Sequence, residues 1–259
     1  ANIAGVASNL FAGYIDDVRV IKGVARYPKS FVPPSQAVGA TLTGTNETNT
    51  TTGFTSLYLP FDSDIQDDST HAHTVTAFGS AAISSTQTKF GSNSLFIDAD
   101  GDYLTIPSDS SFQFEEGDFT IEMFIRPDDV STTDQTSQVA TILDHDQGAS
   151  TAGAWFALHQ KNEGLVFSSN NGSNSFTSSN CLSAATWHHV AVVRHGDVMT
   201  IYCDGVAVGS ATHSYNFSDS TTRSLYIGKQ VVGSGTRRFD GYIDDLRILK
   251  GYAKFNADF

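Results

Sequence analysis

The sequence has 259 residues and a formal net charge of −13, which is enough chain for one large β-sandwich or two ordinary domains. Nucleic-acid binding depends on clustered Lys and Arg, and a chain with 28 acidic and only 15 basic residues argues against it. No apolar run approaches the roughly 20 residues of a membrane-spanning helix. The many Gly, Phe, Tyr, Ser and Thr residues, without runs of helix formers, indicate an all-β protein.

One phrase occurs twice, as FAGYIDDVRVIKGVARYPKSF at 11–31 and as FDGYIDDLRILKGYAKFNADF at 239–259. The two copies are about half identical, and nothing like residues 55–105 precedes the first copy. This pattern is typical of the tail of one repeat followed by a whole repeat. We therefore expect residues 1–35 to be the C-terminal remnant of a preceding repeat, with residues 11–20 pairing outside the main domain.

Residues 36–54 are polar, rich in Thr and Gly and almost uncharged, which predicts a linker. Short β-like runs separated by turn residues then fill residues 55–259, and they predict a single antiparallel two-sheet sandwich. In chain order, the runs are SLYLPF, SLFID, YLTIP, FTIEMFIRP, VATILDH, AWFALH, GLVFSS, WHHVAVVR, MTIYCDG, VAVGSA, SLYIGK and GYIDDLRIL.

Two hairpins and one bulge can be predicted from the spacing. HGD at 195–197 and DG at 204–205 supply turns that join three consecutive antiparallel strands. In the last run, Ile243 and Leu246 have opposite parity, so both reach the core only if a β-bulge occurs at Asp244 and Asp245.

The order of these motifs resembles the laminin-G-like branch of the concanavalin A-like lectin and glucanase superfamily. The resemblance runs through LYLPFDSDIQDD, DFTIEMFIRP, TWHHVAVVRHGDVMTIYCDGVAV and FDGYIDDLRILKG, and covers residues 55–259. It implies an all-β jelly-roll sandwich of two antiparallel sheets, often with a structural calcium ion. The ending IDDVRVIKGVARYPKSFVPP is similar to modules of phage virion and tail-fibre proteins, and bacterial surface proteins use similar endings.

Calcium is the cofactor that the acidic loops favour, because it takes six to eight oxygen ligands from Asp side chains and carbonyls. Asp62 and Asp67 lie in the loop after the first run, and in a jelly roll that strand can neighbour the last strand, which carries Asp244 and Asp245. We predict these four residues as metal ligands. DADGD at 98–102 is a competing acidic turn without the full EF-hand pattern, and solvated surface carboxylates are the other interpretation.

Aromatic side chains near loop ends are the expected device for stacking on sugars, and Trp155, His159 and Tyr215 are the predicted ligand-binding residues. Each of them could instead belong to the core or a sheet edge. Cys181 and Cys203 are interpreted as small buried hydrophobes, and a disulfide between them stays open.

Retaining glycosidases need two carboxyl groups about 5 Å apart, and the stretch FEEGDFTIEMF leaves Glu122 alone on its strand. We therefore expect a non-enzymatic adhesion or assembly module of an extracellular or virion surface, part of a tandem-repeat protein such as a phage fibre. Its partners would be a cell-surface glycan or protein and the neighbouring repeats. A bacterial surface adhesin and a carbohydrate-binding module of a glycan-cleaving enzyme are the alternatives.

Overall fold

The computed structural model describes residues 53–132, 139–145, 156–169, 174–213, 216–217, 223–230 and 237–259. The predicted repeat remnant and nearly all of the predicted linker lie outside these ranges, so the tandem arrangement stays a prediction. The described residues contain one short 3₁₀ helix, Ser110–Phe112, and no helix in these ranges is long and apolar enough to cross a membrane.

Fifteen strands lie within the described ranges. They are β1 (Thr55–Leu59), β2 (Thr76–Phe78), β3 (Ala82–Ser84), β4 (Ser94–Ile97), β5 (Tyr103–Ile106), β6 (Phe119–Pro127), β7 (Ala140–Asp144), β8 (Phe156–Lys161), β9 (Gly164–Ser169), β10 (Asn174–Thr177), β11 (His188–His195), β12 (Val198–Cys203), β13 (Val206–Thr212), β14 (Leu225–Ile227) and β15 (Gly241–Lys250).

The strands form two antiparallel sheets, which confirms the predicted jelly-roll sandwich. The eight-stranded sheet has the order β13-β12-β11-β6-β15-β4-β3, with β1 also paired to β15, and the seven-stranded sheet has the order β10-β9-β8-β7-β14-β5-β2. Each of the twelve predicted runs overlaps one strand. The three strands without a predicted run are β2, β3 and β10, which lie at sheet edges, where short strands with little apolar alternation are common.

The core lies between the sheets and consists of alternate residues of each strand. In β6 these are Phe119, Ile121, Met123 and Ile125, all fully buried, and across the seven-stranded sheet one registered row consists of Leu104, Ile227, Leu143, Leu158 and Phe167. Each such side chain contributes roughly 1.5–3 kcal/mol by leaving water. The period-two apolar pattern in the sequence therefore has a direct physical cause.

Both predicted hairpins are confirmed. Strands β11, β12 and β13 pair consecutively, and the turn residues Gly196, Asp204 and Gly205 have φ values of 61°, 50° and 82°. Cys203 is buried beside the half-buried Cys181, and both thiols are free. The Cys203 thiol donates to the Cys181 carbonyl at 3.6 Å.

The predicted bulge is also confirmed. The register of β15 against β6 shifts between Asp244 and Arg247, and Asp245 has a left-handed φ of 50°. The extra residue lets Ile243 and Leu246 both reach the core at 0% exposure. The bulge also marks a change of neighbour, because β15 pairs with β4 before it and with β1 after it.

The segment after β15, residues 251–259, crosses the outer face of the eight-stranded sheet. The Thr120 hydroxyl donates to the Tyr252 carbonyl at 2.9 Å, and the Lys254 ammonium donates to both Glu122 carboxylate oxygens at 3.0 and 3.1 Å. Burial alone raises the pKa of Glu122, but the hydrogen bond from His189 and the charge of Lys254 outweigh it, so the pKa lies below its usual value. The segment 251–259 therefore covers the outer face of β6, where polar and apolar side chains are mixed.

The bulge conformation can be tested by replacing Asp245 with Gly and with Val. Both variants remove the carboxylate, so the difference between their free energies of unfolding reports on the backbone. We expect Asp245→Gly to be the more stable by about 1–2 kcal/mol in urea unfolding, because a left-handed φ is costly for residues with a Cβ. In a regular strand Val would be favoured over Gly, so a more stable Asp245→Val would contradict the bulge.

Candidate ligand-binding recess

Two of the three predicted sugar-binding residues, Trp155 and Tyr215, lie outside the described residues. The third, His159, is on β8 and is only 6% exposed, with its Nδ1 3.0 Å from the Thr141 hydroxyl. Burial, with a smaller effect of Arg237, lowers the pKa of His159 to about 4, so the ring is neutral at physiological pH. This burial argues against a sugar-stacking role for His159.

Asp67, one of the predicted metal ligands, organises the loop after β1. Its Oδ1 accepts from the Tyr58 and Ser69 amides at 3.0 and 2.9 Å, and its Oδ2 accepts from the Ser69 hydroxyl at 2.8 Å and the His73 amide at 2.9 Å. Four hydrogen bonds occupy both oxygens of a carboxylate. Asp67 therefore fixes the position of His73 relative to β1.

The other predicted carboxylates point to separate partners. Asp62 Oδ1 accepts from the Ser92 amide at 3.2 Å, whereas Asp245 accepts from the Tyr58 hydroxyl and lies 3.9 Å from Arg247. Among the described residues, the groups of three potential metal-ligand side chains lie elsewhere. The structure therefore does not assemble Asp62, Asp67, Asp244 and Asp245 as one calcium site, and calcium binding stays a prediction.

Asp244 is the most unusual of these carboxylates because it is completely buried at the bulge. Its Oδ2 accepts from the Lys89 and Phe90 amides at 2.9 and 3.0 Å, which ties β15 to the turn before β4. Its Oδ1 has no hydrogen-bond partner among the described residues. Burial raises the pKa of Asp244 to about 6 even though the two amides act to lower it.

A recess of about 380 Å³ opens where β1 begins and β15 ends. The register between these strands extends beyond β1, since the Lys250 amide donates to the Phe54 carbonyl at 2.8 Å. Gly251 then takes a φ of 82°, which ends β15 and turns the chain away. The residues that line the recess are Gly53, Phe54, Ser56, His71, Ser110, Ser111, Lys250 and Gly251.

The recess has one aromatic wall and several polar groups. Phe54 is 41% exposed and stacks on Tyr252 with ring centroids 5.4 Å apart and an interplanar angle of 22°. The Lys250 ammonium donates to the Ser110 carbonyl at 2.9 Å, which leaves two of its three protons for another acceptor. An aromatic wall with a few convergent donors is the usual composition of a small-ligand site.

Two histidines, His71 and His73, stack beside the recess, and His71 is the one that lines it. The rings of His71 and His73 are parallel within 4°, with centroids 5.4 Å apart. Asp109, the residue before the helix, presents its carboxylate to the same cluster, and one ligand atom from each of the three residues lies within 4.8 Å of the others. The hydrogen bonds that Ser111 donates lower the pKa of Asp109, so its carboxylate is ionised at neutral pH.

Sequence reasoning missed the recess for an identifiable reason. Phe54 falls within the predicted linker, 36–54, because its neighbours are Thr and Gly and only the β15 register shows that it belongs to the fold. The His-x-His spacing at 71 and 73 was a usable signal. It could not reveal Asp109, which lies 36 residues after His73 in the sequence.

A second pair of exposed aromatics lies on the outer face of the seven-stranded sheet. Phe78 of β2 is 42% exposed and stacks on Tyr103 of β5 at 4.7 Å, with nearly parallel rings. These residues are directly opposite in the strand register. The pair matches Phe54 and Tyr252 in exposure and chemistry, but neither of its residues is among those that line the recess.

Comparison with known proteins supports the fold. The profile of the Laminin_G_3 family, in the concanavalin A-like lectin/glucanases superfamily, matches residues 98–253. Among solved structures, domain 4 of AbnA, a GH43 extracellular arabinanase from Geobacillus stearothermophilus in complex with arabinotriose, superposes with a TM-score of 0.57 at 18% identity, covering 78% of this chain and 94% of that chain. No curated protein sequence matches significantly.

Toxin binding domains are also similar in structure. The binding domain of Paraclostridial Mosquitocidal Protein 1 superposes with a TM-score of 0.59 at 17% identity, covering 79% of this chain and 50% of that chain. The binding domain of botulinum neurotoxin serotype D superposes with a TM-score of 0.55 at 13% identity, covering 78% of this chain and 49% of that chain. The chain thus spans about half the length of these toxin domains, and identities this low show the fold alone.

The buried carboxylate of Asp244 predicts a pH dependence of stability. Because its folded-state pKa is about 6 and its usual value is 3.8, the folded state binds more protons than the unfolded state between these values. The contribution of Asp244 to the free energy of unfolding must therefore fall as pH rises from about 4 to 7. Measured by urea unfolding, we expect Asp244→Asn to gain up to about 3 kcal/mol relative to the native protein over that window.

Asp64→Asn is the control, because it removes the same charge from an exposed loop position. We expect its stability relative to the native protein to change little with pH. If the free energies of unfolding of the native protein and of Asp244→Asn change in parallel with pH, the raised pKa of Asp244 is contradicted.

Proposed function

Because the chain belongs to the Laminin_G_3 family of the concanavalin A-like lectin/glucanases superfamily, we propose that its jelly roll is a non-catalytic glycan-binding module. The recess between the start of β1 and the end of β15 is the site that supports this best. It combines an exposed aromatic face with hydroxyl, ammonium and imidazole groups in about 380 Å³, near the lower end of the ~300–1,000 Å³ typical of ligand pockets.

The chemistry of the recess fits a sugar residue at the end of a glycan chain. The exposed ring of Phe54 offers an apolar surface to the C–H face of a sugar ring. Around it, Lys250 donates hydrogen bonds, while the exposed Ser110 carries a hydroxyl group that can both donate and accept. A sugar ring needs this mixture, because its faces are apolar and its rim is covered with hydroxyl groups.

The strand framework supports recognition without large rearrangement. Two hydrogen bonds hold Lys250 in place. Its backbone amide donates to the Phe54 carbonyl, and its ammonium group donates to the Ser110 carbonyl. Phe54 is in turn stacked on Tyr252, which follows β15 directly. Groups that are ordered before binding lose less conformational entropy when the ligand arrives.

Similar folds serve recognition in other proteins. The arabinanase domain was solved with arabinotriose bound, and the toxin structures are described as binding domains. One further structure of this fold, with a TM-score of 0.58 at 14% identity, comes from work on botulinum neurotoxin type C entry through two ganglioside molecules. These observations support a glycan ligand for this chain and leave the particular sugar to experiment.

The buried carboxylate of β6 supports a non-catalytic function. Glu122 accepts hydrogen bonds from Lys254 and lies 3.5 Å from His189 and 3.7 Å from Arg247. It is only 5% exposed beneath the 251–259 segment. A glycosidase carboxyl group must reach the scissile bond, whereas that of Glu122 is enclosed by cations of the same chain.

We propose an extracellular or virion surface as the setting, in a tandem-repeat protein such as a phage fibre. The support is the phrase that occurs at both 11–31 and 239–259, whose second copy consists here of β15 and the segment after it. A bacterial surface adhesin would use the same module. Coverage of 94% of an arabinanase domain favours, as a second candidate, a carbohydrate-binding module attached to a glycan-cleaving enzyme.

The recess can be tested on a glycan array with the native chain and the Phe54→Ala variant. We expect the native chain to bind at least one glycan class and Phe54→Ala to weaken that binding by about tenfold or more, since aromatic contacts are worth about 1–3 kcal/mol. Running the array with calcium and with a chelator tests calcium dependence at the same time.

Phe78→Ala is the matched control because it removes an equally exposed stacked phenylalanine, 42% against 41% exposed, outside the recess. We expect it to bind like the native chain. If Phe78→Ala loses binding and Phe54→Ala keeps it, the glycan site lies on the seven-stranded sheet and the recess is the wrong site. Absence of binding by the folded native chain would favour a spacer or assembly module.

A further inference from the structure

We propose that His71, His73 and Asp109 bind a divalent transition-metal ion of the zinc type at the rim of the recess. The inference rests on the arrangement of these three side chains and goes beyond glycan binding. It also differs from the calcium prediction, which concerned Asp62, Asp67, Asp244 and Asp245.

The three side chains already lie close together. One ligand atom from each lies within 4.8 Å of the others, and a tetrahedral zinc ion with bonds of about 2.0–2.2 Å needs ligand atoms roughly 3.3–3.6 Å apart. The two imidazole rings are parallel within 4°, with their centroids 5.4 Å apart. Small side-chain rotations are therefore enough to close the site.

The residues around the cluster hold its ligands in place. Asp67 accepts from the His73 amide at 2.9 Å, and the Ser111 amide donates to Asp109 Oδ1 at 2.8 Å. His73 Nε2 lies 3.1 Å from both the Ser56 carbonyl and the Ser111 hydroxyl. In the tautomer whose Nε2–H donates to the carbonyl, the lone pair is on the other ring nitrogen, and metal-binding histidines are commonly oriented in this way.

The donor set selects the class of ion. Two imidazole nitrogens and one carboxylate oxygen suit zinc, copper, nickel or cobalt, whereas calcium and magnesium prefer sites built from oxygens alone. Three protein ligands leave a fourth position of a tetrahedral ion open. Because His71 lines the recess, that position would be accessible to water or to a ligand in the recess.

The second group of potential metal ligands differs from the first because its histidine is already engaged in hydrogen bonds. His188, Cys203 and Asp204 are equally close together, but His188 Nδ1 lies 2.7 Å from Asp204 and its Nε2 accepts from the Ser183 amide at 3.0 Å. Nδ1 thus contacts the turn between β12 and β13 and Nε2 the segment before β11, so both ring nitrogens are already used. His71 is instead exposed, while His73 and Asp109 are half-buried, so an ion can enter from solvent.

The test is titration calorimetry of the metal-free chain with zinc alone, with calcium and magnesium as comparison ions and no glycan present. We expect one zinc site that calcium and magnesium do not occupy. His71→Ala and Asp109→Asn should each weaken zinc binding more than about tenfold, since even outer-shell partners of a metal are worth roughly 10- to 100-fold. Asn remains a good cap for the 3₁₀ helix, so Asp109→Asn should stay folded.

His195→Ala is the control, because it removes an exposed histidine from the far end of β11. It should bind zinc like the native chain. No zinc binding by the native chain, or unchanged binding by folded His71→Ala, would overturn the proposal. The zinc titration tests the metal site without glycan, and the glycan array tests the proposed function. Failure of one proposal can therefore be distinguished from failure of the other.

Discussion

The architecture depends on one constraint in β15, the bulge that follows Asp244. A strand with strict period two could not bury both Ile243 and Leu246, and the extra residue in a left-handed conformation restores the phase. It also lets one strand serve two neighbours along the same edge, β4 before the bulge and β1 after it. The buried carboxylate of Asp244 ties the turn before β4 to this point, at the cost of a raised pKa.

The recess is a consequence of how β15 ends. Once β1 lies beside the second half of β15, Phe54 meets Lys250, and Gly251 turns the chain so that Tyr252 stacks on Phe54. The loop after β1, fixed by Asp67, brings His71 and His73 to the same place. An aromatic wall and a potential metal-binding cluster therefore share one corner of the sandwich, which is why we assign recognition to it.

Much of the fold could be predicted because the signals were local. Apolar alternation located twelve of the fifteen described strands, the Gly and Asp turns located the hairpins, and the parity break between Ile243 and Leu246 located the bulge. Edge strands β2, β3 and β10 are short and partly exposed, so the burial that creates such a pattern is weak in them. The second face of β6 was ambiguous because the segment that covers it comes more than a hundred residues later.

The site was harder to predict because it is assembled from distant segments. Asp67 was predicted as a metal ligand, and in the structure its carboxylate accepts from amides of β1 and of its own loop. Phe54, Asp109 and Lys250 became neighbours only through strand pairing and loop packing. The most direct test of the account is to map amide chemical-shift changes while the chain is titrated with an oligosaccharide that it binds on the glycan array. We predict shifts at residues 53–56, 71–73, 109–111 and 250–252, and shifts confined to 76–78 and 103–105 would contradict recognition at the recess.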